Sequence, residues 1–296
     1  MLLAHAAPGH ELEFTAHPSV WLLVGAIVVG YVLAIRVLGP SLVPAGEPIV
    51  SRKQVVLFGV GVALLWTFAD WPVHDLAEKY LFSVHMVQHT VFSLIAPPIL
   101  LLGLPTWLLD WLTSPAWLRA ALRKICRPLP AALLFNGMIA FTHWPSWVDL
   151  TLRSEVVHFL AHTMLWATAT AMWLPVVNHG VVGLPSLSRM AKMPYLFLQS
   201  IVPTIPASFL AFADNVLYEE YAKAPRIWGM SAIEDQQLAG GIMKVGGTMI
   251  IWTLIVVIFF RWYADSERTG NDTLTWDDVQ RELDRTPPAT ETAAPV

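Results

Sequence analysis

Seven long apolar runs constrain this chain more than any other feature: Val20–Leu38, Gln54–Trp71, Leu81–Gly103, Leu129–Trp144, Val156–Val177, Pro194–Phe212 and Leu238–Trp262. A hydrocarbon core about 30 Å thick is crossed by about 20 apolar residues in a helix. In lipid every backbone N–H and C=O must find a protein partner, which leaves only helices and closed barrels. Barrel strands alternate in polarity, and these runs do not. The sequence therefore predicts an all-α, polytopic membrane bundle of seven transmembrane helices. The fourth run is the shortest and starts within "RPLPAAL". Only 14% of the 296 residues are charged, against about a quarter in a soluble domain. That leaves no room for a second large domain.

Basic residues set the expected direction. Arg36, Arg52 and Lys53 follow the first run, and Arg119, Arg123, Lys124 and Arg127 the third. Arg189 and Lys192 follow the fifth, and Arg261, Arg268, Arg281 and Arg285 the seventh. The alternate loops hold Lys79, Arg153, Lys223 and Arg226, mixed with acids. The positive-inside rule then puts the N-terminus outside and the C-terminus in the cytoplasm. Three blocks follow: an outer N-terminal segment (1–18), a seven-helix membrane domain (19–263) and a mostly disordered cytoplasmic tail (264–296). Within the tail, "TWDDVQREL" reads as a short helix capped by Thr275. The segment "TWLLDWLTSPAWLRAALRKICR" is apolar on one side and basic on the other, as expected of a helix lying on the inner leaflet. The N-terminus has no basic, apolar leader of the cleavable kind. Cys126 is the single cysteine, which excludes a disulfide framework and a cysteine-rich metal site. A net charge of −4 argues against a nucleic-acid partner.

Ten histidines are then distributed unevenly. With that orientation His5, His10, His17, His74, His85, His89, His143, His158 and His162 fall at the outer face, and only His179 at the inner one. "HMVQH" and "HFLAH" each space two histidines four apart, so both rings share one helical face. At 1.5 Å per residue, His89 and His162 lie roughly 10 Å inside their helix starts, too deep for free hydration. The seventh run opens with "EDQQLAGGIMK", bringing Asp235, Gln236 and Gln237 to the same level, and Met86, Met230 and Met243 add thioethers. Polar groups are costly in a membrane, so their convergence points to a site. The expected ligands are His85, His89, His158, His162 and Asp235, with His143, His74, Met86, Met243, Gln236 and Gln237 as further ligands or supports. Imidazole with thioether and carboxylate suits copper, zinc or iron; without thiolate, copper on His and Met is reasonable. His5, His10 and His17 read equally as a metal-capturing arm or as solvated residues. Lys244 reads as a lysine paired in the polar interior rather than a Schiff-base lysine. "PPILLLGLP" reads as a kink, and Gly240–Gly241 and Gly246–Gly247 as sites of close helix packing.

Taken in order, "HMVQHTVFSLIAPPILLLGLP", "HFLAHTMLWATATAMWLPVV" and "DQQLAGGIMK" resemble the CtaG-type cytochrome c oxidase assembly factors of bacteria. The resemblance covers the membrane portion. It implies a multi-pass protein of the bacterial plasma membrane that helps to build a haem–copper oxidase by supplying copper from the outer face. A membrane oxidase subunit and other copper chaperones are the partners implied. By this resemblance His85, His89, His158, His162 and Asp235 are the matching positions. The role is handling of an ion and not catalysis, and no HExxH, nucleophile-elbow or phosphate-loop motif is present. Two other readings remain: a membrane cytochrome with axial histidines from two helices, and a metal transporter.

Overall fold

The computed structural model describes residues 13–178, 180–181, 183–270, 276 and 280, with no side-chain description at 268–270. Among the described residues the secondary structure is helical, with no strand. The main helices are α1 (Pro18–Leu42), α2 (Arg52–Ala69), α4 (Phe82–Gly103), α7 (Pro128–Thr142), α9 (Glu155–Val177), α10 (Arg189–Phe212) and α12 (Ala232–Glu267). Shorter helices join them: α3 (Val73–Lys79), α5 (Thr106–Leu112), α6 (Ala116–Ile125), α8 (Pro145–Arg153) and α11 (Glu219–Lys223).

Among the described residues, six helices are long and apolar enough to cross a membrane. The seventh expected span, α7, has only 15 residues, about 22 Å at 1.5 Å per residue, less than a full hydrocarbon core. It meets α6 at a bend of 78°, so α6 does not lengthen it. That bend follows from "CRPLP": a proline at the start of α7 cannot donate the hydrogen bond that would continue α6. No residue of α6 is buried, and Arg123 and Lys124 close its last turn, as an amphipathic surface helix requires. The seventh helix is longer than expected. It starts at Ala232 and runs on to Gly270, so residues 264–270 of the expected disordered tail are helical. The remainder of the tail, apart from helical Trp276 and Gln280, lies outside the described residues, as does most of "TWDDVQREL".

Local chemistry explains the helix starts. Ser51 with Gln54 and Ser231 with Glu234 form capping boxes for α2 and α12, each satisfying otherwise orphaned N–H groups. Ser154 and Ser188 cap α9 and α10. Inside α4 the expected kink is a π-helical turn at Val91–Ile95, closed by Ala96 N–H on Val91 O, just ahead of Pro97 and Pro98. Proline cannot donate to the carbonyl four residues back. Ser93 O is left free in this way, and it accepts the Trp173 indole N–H of α9 at 2.8 Å. A backbone group orphaned within the bundle is thus paired by a neighbouring helix.

The main core joins α7, α9, α10 and α12 through Phe135, Leu165, Trp173, Leu196 and Ile251. Of the four glycines expected to allow close packing, Gly240 does so: a Cβ there would lie 2.6 Å from Ala211 N of α10, whereas one at Gly241 would meet nothing within 4 Å. Apolar side chains also cover the outside. Leu22, Leu133, Val156, Phe209 and Phe212 are 65–76% exposed, a belt that water would disfavour and lipid accepts. Helices α4, α9 and α12 begin, and α7 ends, at one end of the bundle. Phe82, His85, Met86, His143, His158 and Asp235 meet there.

Candidate metal centre

Construction of the site begins where α4 begins. Leu81, at its N-cap, has no capping side chain. The opening amides are taken instead by Asp235 of α12: Phe82 N–H donates to Oδ2 at 2.7 Å and Ser83 N–H to Oδ1 at 2.9 Å. A carboxylate at a helix N-terminus also meets the positive end of the helix dipole. This places the first turns of α4, and so His85 and His89, against α12. On α9 the Ser154 cap sets the first turn, which carries His158, and the next turn carries His162.

Three imidazoles converge between α4 and α9. One ring nitrogen each from His85, His89 and His162 lie within 4.8 Å of one another. His89 Nε2 faces His162 Nε2 at 3.2 Å. Two imidazole nitrogens bound to one tetrahedral ion at about 2.0–2.1 Å sit about 3.3 Å apart. The same separation would suit one ring donating to the other, but two further facts favour an ion. The His85 ring completes the trio, and buried His85 Nδ1 has no hydrogen-bond partner in the protein. A buried ring nitrogen is normally paired, and an unpaired one asks for a ligand. The residues therefore fit a metal of the copper or zinc kind.

His143, at the end of α7, stands beside this trio. Its Nδ1 meets Ile139 O at 2.7 Å and its Nε2 meets Met86 Sδ at 3.4 Å. Its ring centroid is 6.3 Å from that of His89. A cavity of ≈ 20 Å³ touches His85, His89, His143, His158 and His162, and a second cavity touches His89, His143, Met86 and Met243. Met230 lines neither. The first cavity has room for one or two water-sized ligands. A porphyrin does not fit there: axial histidines lie about 4 Å apart, nitrogen to nitrogen, with the macrocycle between them at metal–imidazole bonds of about 2 Å. The 3.2 Å gap between His89 and His162 leaves no such slot.

The expected single centre fed by both histidine pairs is in fact divided. The His158 ring stays 4.2 Å from that of His162, centroid to centroid, but it joins a second group with His74 and Glu78, whose ligand atoms also lie within 4.8 Å of one another. Glu78 Oε1 is 2.8 Å from His158 Nε2 and 3.0 Å from His74 Nε2. Despite that contact, buried His158 Nε2 lacks hydrogen-bond geometry. The sequence reading missed Glu78, although His74 and Glu78 repeat the spacing of four on short α3. Burial would push the Glu78 carboxyl up, but the contact and charge of His158, with the charge of His74, hold it below the ordinary carboxylate range. Burial pulls the His74 imidazole below its ordinary value, against the opposing charge of Glu78. Tyr221 holds α3 in place by donating to Ala77 O at 2.7 Å. Beyond lies His17, whose Nε2 meets Asp75 Oδ2 at 2.8 Å; His5, His10 and His179 lie outside the described residues.

Three expected site residues are placed elsewhere. Asp235 belongs to neither convergent group and caps α4, both its oxygens accepting α4 amides. Gln236 accepts Leu217 N–H at 2.6 Å and donates to Asn215 O at 3.2 Å. Gln237 donates to Ala213 O at 3.2 Å. These glutamines pair the loop backbone before α11, which is why polar residues open α12. Lys244 finds a polar partner on α10, Ser208 Oγ at 3.4 Å, and its ammonium lies 5.3 Å from the Phe212 ring centroid.

Comparison with known proteins bears on this geometry. The chain is 23% identical over 242 residues to an uncharacterized protein of Mycobacterium leprae, an alignment covering 69% of this chain and 35% of that protein. The chain thus spans about a third of the relative's length. No solved structure matches it. The family described as cytochrome c oxidase caa3 assembly factor matches residues 29–265, which include every residue of both histidine groups. The chain belongs to the cytochrome c oxidase caa3 assembly factor family.

Proposed function

We propose that this protein works in the bacterial plasma membrane as an assembly factor for a haem–copper cytochrome c oxidase. It holds a copper ion at His85, His89 and His162 and passes it to a copper-bearing oxidase subunit. The observation that carries this reading is the trio itself: three imidazoles converging within a membrane bundle, one of them, His85, with a buried, unpaired ring nitrogen. Copper stands at the top of the affinity order for such nitrogen sites. The loop charges orient the histidine end outward, at a depth suited to a membrane partner. The protein's residues bind the ion with neutral imidazoles and shield it from water. Release occurs when a partner's ligands replace them one by one. No bond other than metal–ligand bonds is made or broken.

The test is deletion of the protein in its own cells under copper limitation. Oxidase activity and copper content should fall while oxidase message stays unchanged. Added copper should restore part of the activity by mass action. A deletion strain with fully copper-loaded, fully active oxidase would remove the assembly reading.

A further inference from the structure

The deep trio accounts for His85, His89 and His162 but leaves His74, Glu78 and His158 without a task. These three are not an ordinary buried ion-pair cluster. A structural carboxylate–histidine pair is held by an aligned N–H···O bond. Here His158 Nε2 lies 2.8 Å from Glu78 Oε1 and still makes no such bond. One ligand atom from each of the three lies within 4.8 Å of the others, close enough for a single ion to be reached by all three. The spacing suits a tetragonal ion such as Cu2+: ligands at right angles on bonds of about 2.1 Å are about 3.0 Å apart, and the two nitrogens are 2.8 and 3.0 Å from the carboxylate oxygen.

We propose that His74, Glu78 and His158 form a second cation site, separate from the deep trio, that takes a divalent ion of the Cu2+ or Zn2+ class. Two histidines and one glutamate are a ligand set for such ions that leaves one position open. The carboxylate separates the two sites chemically. It offsets one charge of a divalent ion, whereas an ion in the all-imidazole trio keeps its full charge in a poorly solvated setting. Gln88 bears on His74: its amide nitrogen donates to Phe68 O at 2.6 Å and faces His74 Nδ1 at 3.1 Å, and its buried Oε1 has no partner. Coordination through His74 Nε2 moves the ring proton to Nδ1. The site sits on short α3, next to His17 and Asp75, and its His158 ring is 5.8 Å from His85. An ion approaching from this end of the bundle meets it before the deep trio. The second site does not depend on what the trio holds.

The experiment is equilibrium dialysis of the full-length, chelator-stripped protein in detergent against Zn2+, with bound metal counted by mass spectrometry and folding checked by circular dichroism. The parent should bind two equivalents. Glu78→Gln, which keeps shape, and His74→Gln should each leave one, His89→Ala should leave one, and Glu78→Gln with His89→Ala none. A Glu78→Gln protein that binds as much as the parent overturns the second site. So does loss of all binding in each single variant, which would mean one shared centre, and so does a parent that binds no zinc. If the parent binds one equivalent that Glu78→Gln removes and His89→Ala keeps, the second site stands and the deep-trio reading falls. The reverse pattern overturns the second site and leaves the trio intact.

Discussion

Asp235 and Phe82 are 153 residues apart in the chain and joined by a 2.7 Å hydrogen bond from the Phe82 amide to Oδ2. With Ser83 on the other oxygen at 2.9 Å, this carboxylate is the missing cap of the helix that bears His85 and His89. The link makes Asp235 a structural anchor of the site.

Asp235→Ala should accordingly strand two buried N–H groups and cost about 2–4 kcal/mol. A fall in thermal midpoint in detergent measures it. Asp235→Asn keeps one acceptor oxygen and should lose less. If Asp235→Ala lowered metal binding while leaving the midpoint untouched, the residue would be a ligand after all.

Loss of a ligand in the trio should behave in the opposite way. His89→Ala or His162→Ala should weaken copper binding at least as much as loss of an outer partner does, about 10–100-fold. Membrane abundance should stay near that of the parent, since the rings are only partly enclosed. Copper titration of the purified variants decides this; unchanged affinity in both would make the rings structural.

Lys244 should tolerate replacement. Its ties are a long 3.4 Å contact to Ser208 and the Phe212 ring, and a methionine suits its depth. Lys244→Met should change stability by about 1 kcal/mol or less. A borohydride-trappable chromophore in the parent would instead make Lys244 a Schiff-base lysine.

Orientation can be read by labelling intact cells. A cysteine at Thr15 should react with a membrane-impermeant reagent and one at Ala289 should not. Cys126 is fully buried and should give little background. Labelling at Ala289 would invert the topology and with it the outward placing of the histidines.

Hydropathy and loop charge are additive along a chain, so the apolar runs, their helical nature and the expected direction could be read from sequence alone. The spacing of four at His85–His89 and His158–His162 likewise needed only the helical repeat. Convergence of the helix ends that carry His85, His143 and His158 follows from counting spans. Tertiary structure decided what each ring faces. The rotation of α9 about its own axis turns both rings toward α3 and α4, and the one turn between them in height sets His162 against His89 and His158 against Glu78; no local pattern encodes that rotation. It results from packing such as that of Leu165 and Trp173 against α7 and α12. The same holds for Asp235: its position at the level of the histidines was legible, but its role was not. A carboxylate beside histidines looks like a ligand until the uncapped amides of Phe82 and Ser83 arrive from another helix. Glu78 was overlooked for the complementary reason. It lies on a short polar segment that reads as solvated loop; one helical turn sets it beside His74, but only folding brings His158 of α9 against it.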